Sequence, residues 1–245
     1  MKRFFGQLWD ATIMNFRQGL RDLGILVAFG VIFPLGFLFF LGQIVQHALL
    51  AQVVAGSMMM EMGLININVV AQNMGQDKQS KILDLWVSLP IQPTVYVLSL
   101  ALFWLPFSML SGGVTLAAGI VYFHLAFPPT AVAEVLLALV LVWASSLGIG
   151  FLIGVYGKSP RQINQLANFV GVVMTFLTPI FYPITVLPIP VRYVAYAWPL
   201  TWGATLLTAI IHGTTSSVVI ASAVLGGFTA LWAVLIAFGL RWRAP

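Results

Sequence analysis

Apolar positions along this chain come in long blocks separated by short polar clusters. A helix needs about 20 apolar residues to cross the hydrocarbon layer of a bilayer. Six windows meet or approach that length, near residues 23–41, 49–69, 94–122, 131–156, 163–178 and 218–240. The fifth is short and runs straight into a proline-rich stretch, the pattern of a broken helix. Ahead of the first window, Phe5, Leu8, Trp9, Ile13, Phe16 and Leu20 recur at spacings of three and four. Lys2, Arg3, Asp10, Arg17 and Arg21 fall mostly elsewhere around the same helix. Residues 1–22 therefore read as an amphipathic helix in the membrane interface, either a lipid anchor or a lever that also touches a partner.

Between the second and third windows lies a longer polar segment, residues 70–93. Asp77, Lys78, Lys81 and Asp84 cluster there beside Ile82, Leu83, Leu85 and Trp86. Ile82, Leu85, Trp86 and Leu89 share one face of a short helix that Pro90 ends, leaving a mixed-charge face opposite. The segment is a solvated connector or a docking surface, and its length exceeds what a helical hairpin needs, which favours docking. Residues 178–201 break the pattern differently. Five of the thirteen prolines fall there, among Phe181, Tyr182, Tyr193, Tyr196 and Trp198, with Arg192 as the one charge. A broken, nearly uncharged backbone at membrane depth is tolerated only inside protein or beside an aqueous cavity. The expectation is a re-entrant helical hairpin over residues 179–213, between helices five and six.

Composition narrows the class. The 245 residues are 60% hydrophobic and 7% charged, against about 25% charged in soluble domains. Residues 23–245 are expected to form a single membrane domain. The first ten residues show no small-residue cleavage site, so a removable signal peptide is not expected. Charge supplies orientation. Ten of the eleven basic residues fall before the first window, between two and three, between four and five, or after the sixth, and Arg192 alone takes the other side. By the positive-inside rule both termini are cytoplasmic. The net charge of +5 is thus an orientation device with some affinity for anionic lipid, and no nucleic-acid partner is expected.

Candidate chemistry is sparse. Glu61 sits mid-window, where a carboxylate costs about 3 kcal/mol on insertion scales and must face the bundle interior, pair or be protonated. Asn68 is seven residues on, roughly the same face, and Asn66 lies off it. The three are either interhelical hydrogen-bonding groups or part of a substrate or proton path. Ser146, Gly150 and Gly154 form a small-xxx-small stripe in the fourth window, the pattern that brings membrane helices close. Gly157-Lys158-Ser159 resembles the end of a P-loop, but Leu152 stands where that motif needs glycine. His47, His124 and His212 are isolated near window ends, no nucleophile–base or metal spacing appears, and no cofactor, metal or catalytic residue is expected. Zero cysteines exclude disulfides.

These features together resemble the ABC-2 type transporter permeases, the transmembrane subunits of ABC exporters for drugs, lipids and polysaccharides. The residues that carry the resemblance are Thr178-Pro-Ile-Phe-Tyr-Pro183, Leu187-Pro188 and Pro199-Leu200-Thr201, with Lys81-Ile-Leu-Asp-Leu-Trp-Val-Ser-Leu-Pro-Ile91 as a second match. Trp198, Thr208 and Asp84 depart from the family's usual asparagine, arginine and glutamate. The implied fold is all-α integral membrane, with six transmembrane helices, an amphipathic connecting helix and the re-entrant hairpin. The implied function is outward movement of an amphipathic, lipid-linked, drug or polysaccharide cargo across the plasma (inner) membrane. Implied partners are a second copy or homologous permease and a separate ATP-binding cassette subunit, which holds ATP and Mg. On that resemblance Asp77, Lys78, Lys81, Asp84, Leu85 and Trp86 couple to the ATPase. Glu61, Asn66 and Asn68 belong to the substrate pathway, and Pro179, Phe181, Tyr182 and Pro183 form the extracellular gate. The alternative is a self-sufficient secondary transporter or channel with Glu61 as its ion or proton site.

Overall fold

The computed structural model describes residues 2–19, 24, 31–46, 49–82, 93–182 and 184–239, and among them there is helix and turn but no strand. The helices are α1 (Lys2–Gly19), α2 (Phe33–Ile44), α3 (Leu50–Gln79), α4 (Pro93–Phe123), α5 (Val132–Tyr156), α6 (Pro160–Leu177), α7 (Ile189–Tyr196), α8 (Pro199–His212) and α9 (Thr215–Gly239). Proline opens α4, α6 and α8, where its fixed φ suits the first turn and its missing N–H costs nothing. Ser159 caps α6, its hydroxyl accepting from the Gln162 amide at 3.3 Å, while the Gln162 side chain accepts from the Lys158 amide at 3.0 Å. The stretch that resembles a P-loop is thus a helix cap. Gly213, at φ 71°, ends α8 in the left-handed conformation that glycine adopts without penalty.

The bundle is organised around α3. It packs against α2, α4, α5, α6 and α8, and its most apolar stretch is 88% buried. A helix apolar on every face belongs in the middle. By contrast α9 is 11% buried over its apolar stretch and forms the periphery. The small-residue stripe on α5 is what lets it lie against α3. A side chain on Gly150 would stand 2.6 Å from the Ile67 carbonyl oxygen, and one on Gly154 would stand 2.7 Å from the Met74 sulfur. The stripe therefore packs within the protomer, a point that spacing alone left open.

α6 and α8 both run antiparallel to α3. Ile163 and Pro160 lie at Gly75 and the Ile180 carbonyl at Gly56, while Leu200 lies at Gly63 and Gly203 at Met59. Four described helices are long and apolar enough to cross a membrane, or five if the α7–α8 pair, bent by 88°, counts as one span. α4, α5, α6 and α9 match the expected windows to within a few residues. Of the first window, residues 24 and 31–41 are described, and α2 begins within them at Phe33.

α1 shows two apolar faces. Leu8, Ala11 and Phe16 pack with the start of α4, where Phe16 meets Phe103 edge-on at 5.0 Å and Asn15 donates to the Ser99 hydroxyl at 3.1 Å. Phe5 and Trp9 point away from the protein, 64% and 68% exposed. The helix thus holds its own bundle with one stripe and offers the other to its surroundings.

Candidate functional site

At the end of the bundle bearing Lys158 and Arg161, α3 does not stop at residue 69 but runs on to Gln79. The helix of the second window thus continues into the 70–93 segment, and Asp77 and Lys78 ride on it. Residues 70–79 contain no proline and a single glycine, and Asn73 donates back to the Val69 carbonyl at 2.8 Å, so nothing interrupts the ladder. The helix ends at Ser80, whose hydroxyl donates to the Gln76 carbonyl at 2.8 Å, and at Lys81, which is left-handed at φ 58°. Lys81 is exposed.

Lys78 turns inward. Its ammonium donates to the carbonyls of Gly154, Val155 and Gly157 at 2.7, 2.9 and 3.1 Å. Those are carbonyls that a helix C-terminus leaves unpaired, and the positive charge also opposes the negative end of the α5 dipole. Beside it the Tyr96 hydroxyl donates to Asp77 Oδ2 at 2.7 Å. Two of the expected coupling residues therefore pin α3 to α5 and α4. Asp84, Leu85 and Trp86 lie outside the described residues.

In the interior the three expected pathway residues face three different neighbours. Glu61 is buried, and Ser111 of α4 stands beside its carboxyl, yet neither oxygen has a hydrogen bond of good geometry. Ser108 and Thr115 extend the same hydroxyl row on α4, both buried. Asn66 is also buried and donates to the Ser146 hydroxyl of α5 at 3.1 Å. Asn68 is half-buried and accepts from Gln72 at 3.4 Å. A seven-residue step brings Glu61 and Asn68 to nearby faces, but α4 covers the first and leaves the second open.

Asn68 belongs to a group that residue spacing did not single out. The Gln72 amide also donates to Asn164 Oδ1 at 3.2 Å, and Asn168 donates to the same oxygen at 2.6 Å. Asn68, Gln72, Asn164 and Asn168 thus form an amide ladder between α3 and α6. Asn164 and Asn168 are exposed, flanked by exposed Phe169, Val172 and Phe176. The signal was present as two i, i+4 amide pairs, Asn68–Gln72 across the end of the second window and Asn164–Asn168 at the start of the fifth.

At the opposite end the proline segment is built into the bundle. Thr178, Pro179 and Ile180 are buried, with the Ile180 backbone lying against Gly56 of α3. Phe181 stacks on Phe37 of α2 at 5.8 Å, and the Tyr182 hydroxyl donates to the Phe176 carbonyl at 2.9 Å. Pro183 lies outside the described residues. Arg192 is spent on the backbone, donating to the Leu187 and Thr185 carbonyls at 2.7 and 2.6 Å. Among the described residues no group of histidine, aspartate and glutamate is arranged to hold a metal ion.

Two comparisons bear on this arrangement. A family model described as ABC-2 type transporter matches residues 6–212. No curated protein matches the chain.

Proposed function

The chain belongs to the ABC-2 type transporter family, as a multi-pass membrane permease subunit, and on that premise we propose that it exports an amphipathic cargo with a separate ATP-binding subunit. The observation that carries the reading is the amide ladder Asn68–Gln72–Asn164–Asn168. The first half of α6 is polar, with Arg161, Gln162, Asn164, Gln165 and Asn168 all exposed, and exposed amides that reach into the apolar half are costly against lipid and at home facing water or protein. We place the pathway along this α3–α6 face, closed by a second copy, with Asn68 on it. Glu61 and Asn66 then act one layer behind, in helix packing.

In this reading the first window, of which α2 is described, and α3, α4, α5, α6 and α9 are the six spans, and both termini are cytoplasmic in the plasma membrane. The α7–α8 pair is the re-entrant hairpin. Its bend of 88° and the seating of Leu200 at Gly63 support that assignment. At about 1.5 Å per residue, Gly63 lies about 20 Å from the start of α3. Pro179, Phe181 and Tyr182, resting on Gly56 and Phe37, form the outer gate. Lys81 and residues 82–90 meet the ATPase, while Asp77 and Lys78 transmit motion from that contact to α4 and α5. The test is co-purification with an ATP-binding cassette subunit followed by reconstitution. ATP turnover stimulated by cargo supports the proposal, and a purified pair showing neither complex nor coupled turnover overturns it.

One observation favours a second reading. The carboxyl of Glu61, lacking a good hydrogen bond, is what an ion or proton site in a secondary transporter presents. Gradient-driven flux by the purified chain alone, abolished in Glu61→Gln, decides for it.

A further inference from the structure

A cavity of about 880 Å³ opens between α8, α9, the start of α3 and the proline segment. No member of the amide ladder lines it. Its long wall is one face of α8, where Thr201, Thr205, Thr208 and His212 recur at spacings of four, three and four. Thr214 and Ser217 continue the polar wall across the turn into α9, and Gln52 faces it from α3. None of the fourteen lining residues is lysine, arginine, aspartate or glutamate.

We propose that this cavity binds the headgroup of an uncharged, hydroxyl-rich membrane lipid, of the hexosyl diacylglycerol class, from the leaflet at the re-entrant end. Size permits it, since sites for small ligands occupy about 300–1,000 Å³. The chemistry selects it. Thr201, Thr205 and Thr214 spend their hydrogens on the carbonyls of Ala195, Thr201 and Ala209, which leaves their oxygens as acceptors. The side chains of Gln52, Thr208 and Ser217 make no hydrogen bond to another described residue and still have donors to give. A ligand that both donates and accepts at several points satisfies such a wall, and a sugar ring does so. An anionic headgroup finds no counter-charge here. Tyr196 and Trp202 add an aromatic platform with ring centroids 5.4 Å apart, held in place because the Trp202 indole donates to the Tyr196 carbonyl at 2.9 Å. Such rings, apolar on the face and polar at the tip, sit where headgroup meets acyl chain. Ile184 and Ile220 supply apolar wall for the first part of the chain.

The site goes beyond the transport reading, and its test contains no ATP-binding subunit. The full chain is reconstituted in phosphatidylcholine nanodiscs with a glucosyl diacylglycerol that carries a diazirine near the glycerol. The same diazirine chain on phosphatidylglycerol is the comparison. After irradiation, peptides are mapped by mass spectrometry. The expected result is at least fivefold more adduct from the glucosyl lipid within residues 196–220, competed away by unlabelled glucosyl lipid. Thr208→Val, which keeps shape and removes the hydroxyl, lowers that adduct about fivefold while the thermal unfolding of the disc-bound protein stays unchanged. Equal labelling by the two lipids, labelling that Thr208→Val does not alter, or adducts mapping elsewhere overturn the proposal. Loss of the adduct leaves the exporter reading intact, and loss of coupled ATP turnover leaves the lipid site intact.

Discussion

At the Lys78 ammonium, three carbonyl oxygens within 3.1 Å use all three donors. A net hydrogen bond to a charged group contributes about 1.5–3 kcal/mol, and partial exposure of the lysine reduces that. Lys78→Met is therefore expected to cost about 2 kcal/mol, read as a fall in the thermal midpoint. Lys81→Met, on an exposed side chain, stays within about 0.5 kcal/mol. Equal effects of the two substitutions would contradict the pin. Glu61 presents the reverse case. A buried carboxyl without a good hydrogen bond is a liability to folding. Glu61→Met is expected to stabilise the chain by about 1–3 kcal/mol and to leave cargo-stimulated ATP turnover unchanged. A stabilised variant that no longer transports would put Glu61 back on the pathway.

At the scale of helices, glycine decides which pairs approach. Gly150→Leu forces side-chain atoms into the Ile67 carbonyl and drives α5 off α3. Overpacking of that kind costs about 3 kcal/mol or more, and the expected outcome is loss of the monodisperse folded species on gel filtration. Gly113→Ala meets nothing within 4 Å and is expected to be neutral or to stabilise α4 by up to about 1 kcal/mol. The same scale shows what the sequence made legible. Uninterrupted apolar length set the bounds of α4, α5 and α9, and the proline cluster marked the bent pair α7–α8. The extension of α3 to Gln79 was hidden, because ten mostly polar residues after an apolar window look like a loop unless their side chains are seen bonding along the helix. The partners of Glu61, Asn66 and Asn68 were hidden for a different reason. A turn offset of tens of degrees sends neighbouring residues to different helices, and spacing on one helix does not say which helix covers which face.

For the whole molecule, the proposed pathway between two copies requires one surface of the chain to meet a second copy. α9 and α6 both expose large apolar residues, Leu231 and Val234 on the first, Phe169, Val172 and Phe176 on the second. Lipid satisfies both sets equally well, so apolar exposure does not choose between them. The amides do. Asn164 and Asn168 on α6 lose hydrogen-bonding partners in hydrocarbon, while the exposed face of α9 carries no comparable group. A pathway formed between two copies therefore has α6 facing α6. The chain contains no cysteine, so single-cysteine variants report without background. Asn168→Cys and Val172→Cys are expected to give a disulfide-linked dimer on mild oxidation in membranes, and Leu231→Cys and Val234→Cys to remain monomeric on the same gel. If the proposed pathway runs along that face, addition of a non-hydrolysable ATP analogue with the ATP-binding subunit should change the yield at residue 168. Cross-linking at α9 instead of α6 would move the dimer axis and with it the pathway.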